Sequence, residues 1–312
     1  MTKSTCIVGG GAIGIALATL LSQQQKVYLL VKPQSKISFQ SLTPEVTGAI
    51  KLHASENLSI LEASDLAKIN QNLDFWICTR AFDASSAVSE LKPYLSKSVG
   101  LSIMSNGLGV YQEVLDTIGT QHPVARVLLS FGSLKEDKLQ VRIAGALKAS
   151  LSSSKKDLTY LDQVKGILIE LGFDINYEES VLHAEWKKAV TNVIINSICT
   201  IANTHNGSLQ TNPVLKEQAL NMLSEIKLLA RSQDVDLSNL TEQIFLDSIS
   251  THATNFNSTL VALKNGQRTE SEYMIYKIVE IARRLKIKIP VINSVADELR
   301  TIELQKVNQV AN

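Results

Sequence analysis

The chain has 312 residues, 45% hydrophobic and 20% charged, the balance of a globular protein with one large domain or two ordinary ones. Its net charge of +1 gives no reason to expect nucleic acid or an anionic membrane surface as a partner. No uninterrupted apolar run reaches the roughly eighteen residues of a membrane span, and the first residues lack the apolar core of a signal peptide. Cys6, Cys78 and Cys199 are odd in number, far apart and set among apolar neighbours. They read as reduced core thiols of a cytoplasmic protein, with neither a disulfide frame nor a metal site.

A short apolar strand over 5–8 runs into Gly9-Gly10-Gly11-Ala12-Ile13-Gly14. A helix over 12–21 and a second strand over 27–31 follow, the opening unit of a dinucleotide-binding fold. Gly9 makes the tight turn, Gly11 lets backbone approach a pyrophosphate, and Gly14 allows close helix–strand packing, with the helix N-terminus facing the phosphates. The plainer alternative is a fortuitous glycine-rich turn. Lys32 follows the second strand, Lys36 stands close behind, and no acid occurs before Glu45. An acid there would select NAD by binding the ribose, so a base favours NADP, unless Lys32 is only a solvated loop residue.

The alternation of strand and helix continues. Short strands are expected near His53 and over 58–61, a buried strand over 73–78, a helix over 84–91 and a strand over 99–104. Ligands bind beyond the carboxyl ends of such strands, so Arg80 and Asn106 point to the same crevice as the glycine loop. Asn106-Gly107 could also be a simple turn. Three β-rich pieces, 124–131, 138–143 and 146–152, are expected to join as antiparallel strands. A helix over 158–171 stops at Gly172, and a last strand covers 173–176.

From about residue 178 the pattern is helical only. Residues 185–203 are apolar nearly all round, as in a buried helix. Yet Lys188, Asn192 and Asn196 recur at i, i+4 and i+8 on one face. Such a stripe belongs to a buried network, lines a cleft, or forms the helix's solvated edge. Asn212 as N-cap and Pro213 at the first position open another helix, to about 232. Further helices are expected from 238, over 255–263, over 269–285 and from Pro290. The domains are placed at 1–177 and 178–312, packed closely with the active site in the cleft between them.

These features together resemble the ketopantoate reductase family of the 6-phosphogluconate dehydrogenase-like group, over nearly the whole chain. The resemblance is carried by Gly9-x-Gly11-x-x-Gly14, Asn106-Gly107-x-Gly109, Trp186-x-Lys188 with Asn192 and Asn196, Asn206-Gly207, Ser258 and Arg268-Thr269-Glu270. It implies an α/β fold, with an N-terminal Rossmann dinucleotide-binding domain and a C-terminal all-helical 6-phosphogluconate dehydrogenase-like domain. The implied reaction is NADPH-dependent reduction of a 2-keto acid, 2-dehydropantoate, in pantothenate biosynthesis. Lys188 would be the general acid and Glu270 the carboxylate that orients the lysine and the substrate hydroxyl. Asn106, Asn192, Asn196 and Ser258 would hold the substrate. Gly9, Gly10, Gly11, Ala12, Ile13, Gly14, Lys32, Arg80 and Asn106 would hold NADP.

Elementary chemistry agrees: reducing a ketone puts charge on oxygen, and an ammonium aimed there stabilises it and delivers the proton. By itself, Glu270 reads as an acid in the first turn of a helix, favoured by the dipole. The chain departs from the family pattern at Arg80 (usually Lys), at Ile275-Tyr276 (usually Asn-Gly), at Thr259-Leu260-Val261-Ala262 (usually Met-x-Gln-Asp) and at Ser150 (usually Gly). These changes surround the substrate and leave the reacting groups in place. Two alternatives stand beside this reading: a reductase of another small 2-keto acid, and a non-catalytic NADPH-binding redox sensor, which would need neither Lys188 nor Glu270. A homodimer and a monomer are both compatible, since core and interface apolar faces look alike in sequence.

Overall fold

A computed structural model describes residues 4–39, 42–69, 72–96, 99–154, 157–250 and 252–311, with side chains to 306. The chain divides into two compact units, Met1–Ala184 and Glu185–Asn312. The first contains β1 (Ser4–Val8), α1 (Ala12–Leu21), β2 (Val27–Leu30), α2 (Pro33–Phe39), β3 (Glu45–Gly48), β4 (Leu52–His53), β5 (Leu58–Leu61) and β6 (Leu73–Ile77). It continues with α3 (Ala81–Leu91), β7 (Leu101–Ile103), α4 (Val110–Ile118), β8 (Val124–Leu129), β9 (Gly132–Lys135), β10 (Gln140–Ala144), β11 (Lys148–Ser153), α5 (Leu158–Glu170) and β12 (Asp174–Tyr177).

The main sheet has the order β12-β11-β8-β7-β6-β1-β2-β5. From β5 to β8 every pairing is parallel, and the chain's direction of winding reverses between β1 and β6. That is the doubly wound Rossmann arrangement, with its switch point at the ends of β1 and β6. The three β-rich pieces do not all join antiparallel, as their sequence led us to expect. β8 enters parallel to β7, and only β11 then turns back against β8. β10 leaves the sheet and pairs parallel with β3 and antiparallel with β9, forming a second sheet of order β4-β3-β10-β9.

The second sheet explains α1. A helix with buried residues from Gly14 to Leu21 needs cover on every side, and α1 packs on β1 and β2 as well as on β3, β9 and β10. α2 and α4 have no counterpart in the sequence reading. α2 is only seven residues long, and the stripe Val110, Tyr111, Val114 and Ile118 of α4 begins directly after a glycine-rich turn.

The second unit is helical among its described residues. α6 (Val181–Ile201), whose first residues remain with the first unit, is followed by α7 (Ser208–Thr211), α8 (Pro213–Arg231), α9 (Glu242–Ser250), α10 (Ser258–Lys264), α11 (Ile275–Leu285) and α12 (Pro290–Ala311). Asn212 caps α8 as its sequence implies, accepting from the backbone N–H of Val214 and Leu215. The Glu225 carboxylate of α8 accepts from the N–H of Val291 and Ile292 and so caps α12. Trp186, Met222, Phe245, Ile278 and Ile292 are fully buried. The helix expected over 269–285 is interrupted: a 3₁₀ turn, Ser271–Tyr273, precedes α11, and Met274 between them has φ −119° and ψ −108°. All three cysteines are buried free thiols. Among the described residues no helix is long and apolar enough to cross a membrane.

Candidate active site

In the first unit the register sets Leu30, Val8, Ile77 and Ile103 side by side. The residues that follow them therefore share one edge: Lys32 after β2, the glycine loop after β1, Arg80 after β6 and Asn106 after β7. Gly9 adopts φ +120°, and a Cβ there would lie 3.1 Å from the Cys78 and Thr79 backbone. At Gly14 a Cβ would lie 1.9 Å from the Gly9 carbonyl oxygen, so only glycine permits this approach. A Cβ at Gly11 would meet nothing within 4 Å. Gly11 is the N-cap of α1 and supplies no side-chain cap, so the first turn presents its N–H groups and its positive dipole end toward open space. The geometry of this loop fits a pyrophosphate.

Other groups at this edge were not legible in the sequence. Lys135 of β9 donates to the Gly10 carbonyl at 3.1 Å and lies 5.1 Å over the Phe39 ring. Burial pushes its ammonium below the ordinary lysine range. Arg126, 0% exposed in β8, donates to the carbonyls of Ile103 and Gly107 at 2.9 and 3.2 Å and so fixes the turn that carries Asn106. Gly107 and Gly109 in that turn have φ +113° and +82°. The two early lysines differ. Lys36 is engaged by Asp65 and Glu62 at 2.5 and 3.2 Å, an arrangement that holds Asp65 down to about 2. Lys32 stays exposed, with Asp83 no nearer than 3.8 Å.

In the second unit Lys188, Asn192 and Asn196 are half-buried on one face of α6, while Ala189, Val190, Val193, Ile194 and Ile195 around them are buried. Burial pushes the Lys188 ammonium down to about 8. Burial, and then the positive charge of Lys188, also lower His252, a neighbour not visible in the sequence pattern. One more step along the stripe is Thr200, which donates to the Asn257 side chain at 3.1 Å. Asn257 is the N-cap of α10 and accepts from the Leu260 N–H, so α6 is tied directly to the helix that starts at Ser258. Asn206 and Gly207 brace the approach to that helix: the Asn206 N–H and amide donate to Asn255 and His252 carbonyls, and the Gly207 N–H donates to Ala253.

Glu270 is 7% exposed and stands before a 3₁₀ turn. The local reading, an acid in a helix's first turn, does not describe it: α11 begins only at Ile275. Of the residues that depart from the family pattern, Ile275 and Ala262 are core, and the Tyr276 hydroxyl donates to Glu303 at 2.7 Å.

The family described as "Ketopantoate reductase PanE/ApbA" matches residues 5–155, and its C-terminal counterpart matches residues 180–303. The chain belongs to the ketopantoate reductase family. Membership of this family indicates a nicotinamide dinucleotide as the cofactor. A 2-dehydropantoate 2-reductase of Pyrococcus horikoshii is 22% identical over 288 residues, 91% of this chain and 92% of that one. Among solved structures, a D-mandelate dehydrogenase with NADH and anilino(oxo)acetate superposes with a TM-score of 0.87 at 16% identity, covering 97% of this chain and 99% of the other. A dimeric ketopantoate reductase from Staphylococcus aureus gives 0.75 at 18% identity, covering 97% and 99%. At these identities the structural likenesses establish the fold.

The glycine geometry separates folding from binding. Gly11→Ala, at φ −81°, is expected to change stability by under about 1 kcal/mol while its methyl group obstructs the dinucleotide. Gly14→Ala should cost several times more, because backbone must move. Thermal denaturation with and without NADPH checks both: a Gly11→Ala protein whose ligand-induced rise in melting temperature equals the wild type's would remove the loop from cofactor binding.

Proposed function

We propose that the protein reduces 2-dehydropantoate to pantoate with NADPH as the hydride donor, in the cytoplasm. The observation that carries this reading is the half-buried stripe Lys188, Asn192, Asn196 on an otherwise buried α6, within the part of the chain that matches the family's C-terminal domain.

The dinucleotide, when bound, supplies the hydride; the chain's own residues hold the keto acid and manage its proton. Lys188 gives its proton to the ketone oxygen as charge develops there. A lysine near 8 is still protonated at neutral pH, yet gives up its proton more readily than an exposed one. The Asn192 and Asn196 amides and the Ser258 hydroxyl hold the substrate's carboxylate and hydroxyl groups, with Asn106, in the turn fixed by Arg126, as a further substrate ligand. Glu270 accepts from the substrate hydroxyl and orients Lys188. Lys32 binds the 2′-phosphate that distinguishes NADPH, which the absence of an acid after β2 supports. The dimeric S. aureus relative supports a homodimer.

The pH dependence follows from the protonation state. The acid is competent while protonated, so kcat/KM for reduction should be level below about pH 8 and fall about tenfold per unit above it. Lys188→Ala should lower kcat by about 10²- to 10⁴-fold with little change in NADPH affinity. A variant with near-normal turnover would reject Lys188 as the acid.

Cofactor choice has its own test. Losing one charge-assisted contact worth about 1.5–3 kcal/mol should weaken NADPH binding by about ten- to a hundredfold in Lys32→Ala and leave NADH unaffected. Equal losses for both cofactors would show that Lys32 does not read the phosphate.

A second reading, reduction of another small 2-keto acid, is favoured by the departures from the family's sequence pattern and by the D-mandelate dehydrogenase likeness. Comparing kcat/KM for 2-dehydropantoate with that for unhydroxylated branched 2-keto acids of similar size decides between them. Preference for the former supports the pantoate-forming enzyme. Preference for the latter keeps the reductase and rejects the substrate.

A further inference from the structure

We propose that Glu303, on α12, is a positioning residue for the reaction: it fixes Glu270 by holding the residues on both sides of it. The inference rests on the assignment of Glu270 made above. Thr269 Oγ1 donates to Glu303 Oε1 at 2.5 Å, and Ser271 Oγ donates to the same oxygen at 2.6 Å. Tyr276 donates its hydroxyl to Oε2 at 2.7 Å. Both carboxylate oxygens are therefore engaged, by donors that bracket Glu270 and by the first turn of α11. The Ser271 N–H also donates to the Thr269 hydroxyl oxygen at 3.5 Å, which closes the bracket. Arg300, nearly one turn before Glu303 on α12, lies 4.5 Å over the Tyr276 ring and holds it in place.

The backbone here needs such a hold. Glu270 stands between α10 and a 3₁₀ turn of three residues, and the backbone at Met274 is neither helical nor extended. Misplacement of a reacting carboxylate by about 1 Å can cost a hundredfold in rate. Burial, and then the Glu303 carboxylate, raise the Tyr276 hydroxyl above its ordinary range, so it remains a donor throughout the working pH range.

The test uses the full-length enzyme and four variants: Glu303→Ala, Glu303→Gln, Glu270→Ala and the double variant Glu303→Ala/Glu270→Ala. Steady-state kinetics, NADPH binding by fluorescence and thermal melting are measured for each. Gln retains an oxygen for Thr269 and Ser271, and its amide can donate to the Tyr276 oxygen. Glu303→Ala should lower kcat by about ten- to a hundredfold with NADPH affinity unchanged, and Glu303→Gln should restore most of it. In the Glu270→Ala background, Glu303→Ala should add no further loss, since residues that act as a unit are not additive.

An undiminished further loss in that background would overturn the proposal, as would a Glu303→Ala enzyme with full turnover or one whose NADPH binding falls in step with kcat. Should Glu303→Ala fail to fold, Tyr276→Phe and Ser271→Ala each remove one donor. Each should lower kcat in the wild-type background and not in Glu270→Ala; unchanged kcat in both would overturn the proposal. If Glu270→Ala is itself fully active, the Glu270 assignment has failed and the proposal falls with it. If Glu270→Ala is impaired and Glu303→Ala is not, the proposal alone has failed.

Discussion

The contact on which the first unit depends is between backbone and backbone, where Gly14 lies against the Gly9 carbonyl. With no Cβ at Gly14, the first turn of α1 closes onto the ends of β1 and β6, and no other residue type leaves the needed space. Two consequences follow from the same approach. The helix N-terminus comes to the switch point of the sheet, where its dipole and its N–H groups can meet an anion. The helix body becomes so deeply placed that it requires a second layer, which the small sheet of β3, β4, β9 and β10 provides. Binding and packing are therefore joined in one constraint: the second sheet that covers α1 also brings Lys135 to the Gly10 carbonyl.

The second unit is organised by a polar stripe in an apolar helix. Beyond Lys188, α6 is buried from Ala189 to Cys199 except at Thr191, Asn192 and Asn196. A lysine in such surroundings loses part of its hydration and becomes a better proton donor. Thr200 continues the stripe in a different capacity, because its hydroxyl is committed to the N-cap of α10. The stripe thus carries at one end a lysine whose pKa burial lowers and, at the other, sets the start of the helix where Ser258 stands.

Across both units, irregular backbone is held by charged side chains from a neighbouring element. Arg126 holds the Ile103–Gly107 turn, Glu225 holds the start of α12, and Glu303 holds the residues around Glu270. Hydrogen bonds to charged groups are worth more than neutral ones, about 1.5–3 kcal/mol each against about 1. Irregular turns, which lack a regular ladder of backbone hydrogen bonds, gain most from such anchors. These residues gave no signal in the sequence, since an Arg in an apolar strand or a Glu in a helix is identified as an anchor only by what it touches.

The sequence by itself determined the glycine loop, the βαβ opening, the Asn212–Pro213 helix start and the family, because each depends on residues close together in the chain and on chemistry few other residues can supply. It also determined the stripe on α6, since a helix's own periodicity places Lys188, Asn192 and Asn196 on one face. Tertiary structure decided what depends on distant partners. β10 left the main sheet because its pairing edge is β3, nearly a hundred residues away in sequence. The predicted helix over 269–285 broke near Met274, where residues from Thr269 to Tyr276 donate to Glu303 instead of continuing a helical ladder. Glu270 reads locally as a first-turn helix acid; that it is buried depends on neighbours brought by other elements, which local pattern does not encode.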